Sequence, residues 1–209
     1  MGAPLQLQPR PSRSRPWLEP LALVAILLAA AALRFWRLGD LPPGIDLDEA
    51  RNGIEVMRVL AGQHPLFFTT FDPREPIFIY SLALAVRALG QTALAMHVTS
   101  AVWGLLGVAL TYPVARQWFG RAVALLATGG MAVSLWDMSM SRWAERDITL
   151  LPFLLLFLFF LWRGLQRGFV RSFILAGVCL SLCAYAYVAA RILPLLVVLI
   201  LLPEWRLVC

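Results

Sequence analysis

Length, composition and charge together place this chain in a membrane. Of its 209 residues 60% are hydrophobic, and apolar runs of about 16 to 20 residues recur along it, which exceeds what a soluble core can bury. The net charge of +6 would suit a nucleic-acid partner in a soluble protein, but the arginines lie mostly at the ends of the apolar runs, where they set membrane orientation. A soluble domain and a nucleic-acid partner are thereby excluded, and the sequence predicts an all-α integral membrane protein, a polytopic helical bundle.

Two regions are predicted along the chain. Residues 1–17 carry arginines among prolines and are expected to form a disordered cytoplasmic tail. Residues 18–206 are expected to form a membrane domain with about six transmembrane helices. The candidate spans, in chain order, are 18–36, 93–115, 121–136, 148–162, 171–188 and 192–203.

Whether one further apolar run, 77–89, crosses the membrane decides on which side of the membrane every later loop lies. As a helix it would cover only about 20 Å, against a hydrocarbon core of about 30 Å. If it does not cross, the flanking arginines at 10–15, 116–121, 163–171 and 206 all fall on the cytoplasmic side, which is the favoured arrangement. We therefore predict that it lies in or dips into the outer interface. Residues 37–91 then form one long extracytoplasmic insertion, and residues 137–147 form a shorter loop on the same face.

The insertion opens with a proline turn that precedes a short helix. The helix is predicted to be capped by Asp46 or Asp48 and to run to about Ala61. An apolar stripe along it consists of Ile54, Met57, Leu60 and Ala61. This pattern is typical of an amphipathic helix that lies at a membrane surface, with acidic residues at its N-terminus.

An acidic cluster, Asp46, Asp48 and Glu49, lies just beyond the first predicted span, at the depth of a lipid headgroup. From spacing alone two interpretations stay open. An aspartate followed by a glutamate in the first turn is ordinary helix capping. The same carboxylates at that depth could serve as a general base.

Four elements resemble the GT-C glycosyltransferases: Asp48-Glu49-Ala50, the interfacial helix that follows, Arg74-Glu75-Pro76, and Ser141-Arg142 followed by Asp147. The likeness is strongest to the branch that contains the protein O-mannosyltransferases and the lipid A aminoarabinose transferase, a glycosyltransferase family 39-like group. It is more distant to the oligosaccharyltransferase catalytic subunit. The resemblance covers about residues 18–165, and its most specific element is the Asp-Glu pair in that location.

The resemblance implies an enzyme that transfers a hexose or pentose from a polyprenyl-phosphate donor. The acceptor would be a lipid, glycan or protein on the outer face of the cytoplasmic membrane, and the displacement would be inverting. Asp48 matches the family's base, which takes the acceptor's proton. Glu49 matches the second acidic position, which orients the acceptor or tunes Asp48, with helix capping as the alternative. Asp147 matches the second-loop acidic position, which in some members binds a metal or orients the acceptor; the alternative is an N-cap for the helix starting near 148.

Two arginines are candidates for binding the donor phosphate through their bidentate guanidinium groups. Arg142 is the leading candidate and Arg74 the second, with anchoring at lipid headgroups as the alternative for both. The resemblance implies no certain cofactor, and a divalent metal cation at Asp147 is the one candidate. Two positions depart from the family pattern: Glu75 stands where many relatives have Lys, and His97 where many have Arg.

A second function from another class stays open. Members of the family run to several hundred residues, so the chain is expected to be a truncated N-terminal part that is inactive alone. The alternative function is a non-catalytic multi-pass membrane protein, a transporter fragment or an assembly partner, whose acidic loop only caps helices. Arg87 and Arg191 are the main ionisable residues near membrane depth that would serve it.

Overall fold

The computed structural model describes residues 17–199, so the predictions for residues 1–16 and for residues 200–209 lie outside it. Within that range the regular secondary structure is helical, apart from one isolated antiparallel bridge between Phe68 and Arg74. The prediction of an all-α membrane bundle is confirmed. The helices are α1 (Leu18–Phe35), α2 (Leu47–Leu60), α3 (Pro76–Leu89), α4 (Ala93–Phe119), α5 (Arg121–Val133), α6 (Leu135–Met140), α7 (Leu150–Arg167) and α8 (Val170–Ala186). The 3₁₀ turns are Arg146–Thr149 and Val188–Ile192.

Within the described residues each predicted span coincides largely with helix, but the helices differ in length. By length and composition, the helices able to cross a membrane in the described chain are Leu18–Phe35, Ala93–Phe119 and Arg146–Arg167. Shorter apolar helices occupy the other predicted spans, Arg121–Val133, Val170–Ala186 and Val188–Leu199. A helix of about 20 residues is needed to cross the hydrocarbon core, so these shorter helices fall below that length.

Helices α1 and α4 run antiparallel. At one end of the pair, Glu19 accepts a hydrogen bond from the Tyr112 hydroxyl and lies 3.1 Å from Nη2 of Arg116. At the other end Arg34 reaches Gly104, where an added Cβ would come within 3.4 Å of the Arg34 Nε. An antiparallel pair joined by segments with no net crossing is the arrangement expected if the run 77–89 does not cross the membrane, which stays a prediction. We call the end that carries α2 and α3 the insertion end, and the end that carries Glu19 the opposite end.

Helix α2 turns its polar side into the protein and its apolar side outward. Its buried residues are Glu49, Asn52, Glu55, Val56 and Val59. The predicted apolar stripe is exposed, with Ile54 at 48%, Met57 at 42% and Leu60 at 38%. An apolar stripe facing outward is the arrangement expected of a helix that lies on a bilayer surface.

Helix α5 ends at Val133, before the predicted boundary at 136, and Arg34 accounts for the break. Its guanidinium donates hydrogen bonds to the carbonyl oxygens of Ala132 (3.1 Å) and Met131 (3.5 Å) and pairs with Asp137. The last carbonyls of a helix lack intrahelical donors, and this side chain supplies them. Arg34 is completely buried, so α5 stops where the arginine meets it.

Candidate functional site

Asp46 is the N-cap of α2, which decides between the two predicted capping residues. Its carboxylate accepts a hydrogen bond from the Glu49 amide (2.7 Å), and the Glu49 carboxylate accepts one from the Asp46 amide (3.1 Å). This reciprocal pair is a capping box, which satisfies two amides at the helix start. Asp48 lies in the first turn, and its side chain takes no part in the cap.

Asp48 is held by arginines while half of its side chain stays exposed. Its carboxylate lies 2.8 Å from Arg74 Nη2 and 3.3 Å from Arg51 Nη1, and 50% of the side chain is exposed. The hydrogen bond from Arg74 holds the pKa of Asp48 below the usual aspartate value, and Arg51 adds to the effect. Asp48 is therefore an ionised carboxylate that a second molecule can approach.

Arg74 lies beneath Asp48 rather than at an open mouth. Its side chain is only 2% exposed. The guanidinium donates to the Asp48 backbone oxygen (3.3 Å), to the Asn52 side chain, and to the Asp72 carboxylate at 3.0 and 3.1 Å. Burial at this level does not fit anchoring at lipid headgroups, so that interpretation of Arg74 is corrected. The arginine positions Asp48.

Glu49 joins three segments of the chain from a buried position. It is 1% exposed, and its Oε1 accepts a hydrogen bond from the Ala144 amide (2.6 Å) and lies 3.0 Å from His97 Nε2. Burial alone would raise the pKa of Glu49, but the bonds from His97 and Ala144 lower it below the usual glutamate value. Glu49 therefore links α2, α4 and the second loop, and it faces the protein interior.

A hydrogen bond and an ion pair attach the second loop to the insertion, one on each side of Glu145. The Ala144 carbonyl accepts a hydrogen bond from Asn52 (2.8 Å), and Arg146 lies 3.4 Å from Asp72. Burial raises the pKa of Glu145 to about 7, and the negative charges of nearby Asp48, Asp46 and Asp147 add to the effect. Sequence reasoning did not select Glu145, because nothing in its local pattern reveals the carboxylates that fold against it.

Asp147 lies inside the 3₁₀ turn Arg146–Thr149 and does not cap a helix. The N-cap of that turn is Glu145 and the N-cap of α7 is Thr149, so the interpretation of Asp147 as an N-cap is wrong. Its Oδ1 is buried with no hydrogen-bond partner in the described chain. One oxygen of Asp147 is thus unpaired on the side where the two loops meet.

The described residues do not fit a metal centre. Within 17–199 no group of three or more His, Cys, Asp or Glu side chains is placed to hold a metal ion. Asp147 could supply one carboxylate, but a bound divalent cation takes several protein or substrate oxygens. We therefore derive no chemical step through a metal.

The Arg142 guanidinium is hydrogen-bonded to the C-terminal end of α1 and the residues that follow it. Its terminal nitrogens donate to four backbone carbonyls, those of Leu33 (3.0 Å), Arg34 (3.1 Å), Trp36 (2.9 Å) and Leu41 (2.8 Å). These include carbonyls that the helix itself leaves without donors. A phosphate at Arg142 would have to displace them, so the arrangement favours a positioning role over the predicted phosphate contact.

An apolar groove of about 270 Å³ runs beside the start of α2. It lies between α2, the end of α3 and the start of α4. Its walls include Ile54, Met57, Val86 and Met96, and Glu49 lies at one side. Because Ile54 and Met57 belong to the outward stripe of α2, the groove opens on the surface expected to meet lipid.

The comparisons with known proteins agree with the membrane architecture. A family model described as dolichyl-phosphate-mannose-protein mannosyltransferase matches residues 64–209. The match includes Arg74, Arg142 and Asp147, and it begins after Asp48 and Glu49. Neither the curated proteins nor the solved structures contain a significant match to the chain.

Proposed function

The chain belongs to the dolichyl-phosphate-mannose-protein mannosyltransferase family, and from that premise we propose that it transfers a sugar from a polyprenyl-phosphate donor to an extracytoplasmic acceptor. The sugar is a hexose or pentose, and the acceptor is a lipid, glycan or protein. Membership supports a glycosyltransferase in general. The polyprenyl-phosphate donor, the inversion of configuration and the identity of the base are what we propose beyond family membership.

The observation that carries this proposal is the state of Asp48. A general base must be ionised and within reach of the proton that it takes. Asp48 meets both conditions, because Arg74 and Arg51 hold it as a carboxylate while half of its side chain stays exposed. Its neighbour Asp46 is committed to capping, so the acidic cluster separates into a structural and a reactive member.

The reaction proposed is a single displacement with inversion. The acceptor hydroxyl oxygen attacks the anomeric carbon of the donor sugar, and its proton passes to an oxygen of Asp48. The bond between the anomeric carbon and the phosphate oxygen breaks, and its electron pair leaves with the lipid phosphate. A phosphate departs as a stable anion, so the mechanism needs positive charge near it and no general acid.

The charge distribution supports an extracytoplasmic site. The charged residues at the opposite end, in the described part of the chain, are Arg116, Arg121, Arg163, Arg167, Arg171 and the single acid Glu19. At the insertion end, arginines alternate with carboxylates. An excess of arginine marks the cytoplasmic side of a membrane protein, so the insertion end would face outward.

Sugar transfer by membranes that carry the protein in its complete reading frame tests the proposal. A radiolabelled polyprenyl-phosphate sugar pool is supplied, and the parent is compared with Asp48→Asn. Loss of a general base reduces rate by about 10²-fold or more, so we expect transfer to fall by at least that factor at equal protein level.

Asp40→Asn is the matched control, because Asp40 lies on the same insertion and pairs only with exposed Arg37 among the described residues. We expect the control to keep parental activity. If Asp48→Asn also keeps it, Asp48 is not the base and attention moves to Asp147. If the parent transfers no sugar from any polyprenyl-phosphate pool, the non-catalytic alternative takes its place.

A further inference from the structure

The arginines at the insertion end differ in whether their N–H groups already have acceptors. Arg74 and Arg142 donate from both terminal nitrogens to protein oxygens. Arg34 is completely buried against α5. A guanidinium that is buried or already donates from both terminal nitrogens cannot form paired hydrogen bonds to a phosphate, so none of these three arginines is free to bind one.

Arg191 has an open guanidinium at the same end of the molecule. It lies in the 3₁₀ turn Val188–Ile192 after α8, and 52% of its side chain is exposed. Its nearest charged partner is Oε1 of Glu75, at 3.9 Å from Nη2, which is too long for a hydrogen bond. The guanidinium lies over the Phe67 ring, 5.6 Å from its centre. The ring fixes the direction of the side chain and leaves its N–H groups without acceptors among residues 17–199.

Glu75 holds Arg191 beside a second arginine. Glu75 is 2% exposed, and its other carboxylate oxygen lies 3.5 Å from Nε of Arg146, also without a hydrogen bond. A buried carboxylate is stable only when cations or donors surround it, so Glu75 draws both guanidiniums toward one point. The hydroxyl of Thr149 also donates to the Ala186 carbonyl (3.5 Å), which joins the turn carrying Arg146 to the end of α8.

We propose that Arg146 and Arg191 bind the phosphate of the lipid-linked donor, and that buried Glu75 positions the two guanidiniums. Nη1 of Arg146 also donates a hydrogen bond to Asp72 (3.4 Å), whose other oxygen contacts the Arg74 that holds Asp48, while Nη2 of Arg146 has no acceptor among the described residues. The phosphate site is thereby connected to the proposed base through a short chain of ion pairs. This assignment rests on the proposed function and deepens it, since it names the groups that receive the leaving phosphate.

The chemistry requires two cations at this point. A sugar phosphodiester carries one negative charge, and the departing lipid phosphate gains a second as the bond to the anomeric carbon breaks. Groups that meet a charge as it develops lower the barrier as well as the dissociation constant. Arg146 and Arg191 therefore act on both the KM for the donor and kcat.

The experiment measures donor kinetics and lipid binding on the complete protein in nanodiscs. Arg191→Gln and Arg146→Gln are compared with Arg37→Gln, an arginine of the same end that is 60% exposed and pairs with Asp40. A polyprenyl monophosphate is the binding probe. We expect each of the two site variants to weaken probe binding and to raise the donor KM by at least about 10-fold, with a lower kcat. Arg191→Lys keeps the positive charge but loses the planar guanidinium, so its probe affinity and donor KM should lie between those of the parent and Arg191→Gln.

Asp48→Asn in the same nanodiscs separates this inference from the proposed function. If Asp48→Asn abolishes transfer while both site variants bind the probe and the donor like Arg37→Gln, the phosphate assignment is overturned and the proposed function stands. If the parent neither binds the probe nor transfers sugar, the proposed function itself fails. Equal thermal unfolding of Arg191→Lys and parent shows that an intermediate KM reflects the lost guanidinium and not a misfolded protein.

Discussion

The carboxylates where the two loops meet lie in three different environments. Asp48 is stabilised as an anion by Arg74, whereas one buried oxygen of Asp147 has no hydrogen-bond partner among the described residues. Glu145 has a pKa of about 7, because it is partly buried and nearby carboxylates repel its charge. The same functional group therefore lies in different electrostatic environments within one site.

Glu145 makes stability depend on pH in a defined direction. Its pKa is raised from 4.5 to about 7, so between these values the folded protein keeps a proton that the unfolded chain has lost. The folded state binds more protons there, and the free energy of unfolding falls as pH rises from about 4.5 through about 7 and is constant above.

Glu145→Gln removes this dependence. We expect the variant to be more stable than the parent at pH 8, by up to about 3 kcal/mol, with little difference near pH 4. Thermal unfolding in detergent at the two pH values measures it, with Asp40→Asn as an exposed control. A Glu145→Gln protein whose advantage is the same at both pH values would show that Glu145 is not protonated in the folded state.

At the scale of elements, α2 combines two tasks. Its apolar stripe is exposed, as expected of a helix on a bilayer surface, and its polar side carries Glu49, Asn52 and Glu55 into the protein. The capping box at Asp46 fixes where the helix begins and therefore where Asp48 emerges. The carboxylate proposed as the base is thus positioned by a capping box that begins two residues before it.

Asp46→Ala tests the contribution of that device. The Glu49 amide would lose its acceptor, and loss of such a cap costs about 1 kcal/mol. We expect a lower unfolding temperature in detergent and a smaller loss of sugar transfer than with Asp48→Asn. Asp40→Ala serves as the control, and an equal cost for both variants would contradict a stabilising cap.

For the whole molecule, the close contact of α4 with the second loop decides how the two halves of the site meet. Ser141 accepts a hydrogen bond from Arg34 Nε (3.2 Å) and lies directly against Gly104 on α4. A Cβ at Gly104 would overlap the Ser141 hydroxyl. Only glycine lets the loop that carries Arg142 come this near to the helix.

Gly104→Ala should destabilise the bundle, although alanine favours helices in general. Overlap in a packed interior costs about 1 to 3 kcal/mol, which exceeds the gain of about 1 kcal/mol from helix propensity. Gly130→Ala on α5 is the matched control, because a Cβ there has no heavy atom within 4 Å. We expect Gly104→Ala to lower the unfolding temperature and Gly130→Ala to keep or raise it. The opposite order would show that α4 and the loop are less tightly packed.

The sequence by itself determined the features that depend on neighbouring residues. Apolar runs predicted the helices, and the arginine distribution predicted that 77–89 makes no net crossing, an arrangement with which the antiparallel α1 and α4 agree. Capping chemistry predicted Asp46 or Asp48 as the N-cap of α2, of which Asp46 is the observed one, and the predicted end near Ala61 lies one residue beyond the observed end. These signals are local in the chain, because capping and helical periodicity act over a few residues.

Only the tertiary structure decided which charged groups work together. Arg34 and Asp137 are 103 positions apart, and Arg74 reaches Asp48 across 26. Glu75 meets Arg146 and Arg191 through contacts that no spacing reveals. The energy of an ion pair depends on the distance between its groups and on their burial, neither of which sequence spacing gives. The sequence could therefore identify Asp48 by family likeness. It could not show that the Arg142 guanidinium is bound to the end of α1 while that of Arg191 has no hydrogen-bond acceptor among the described residues.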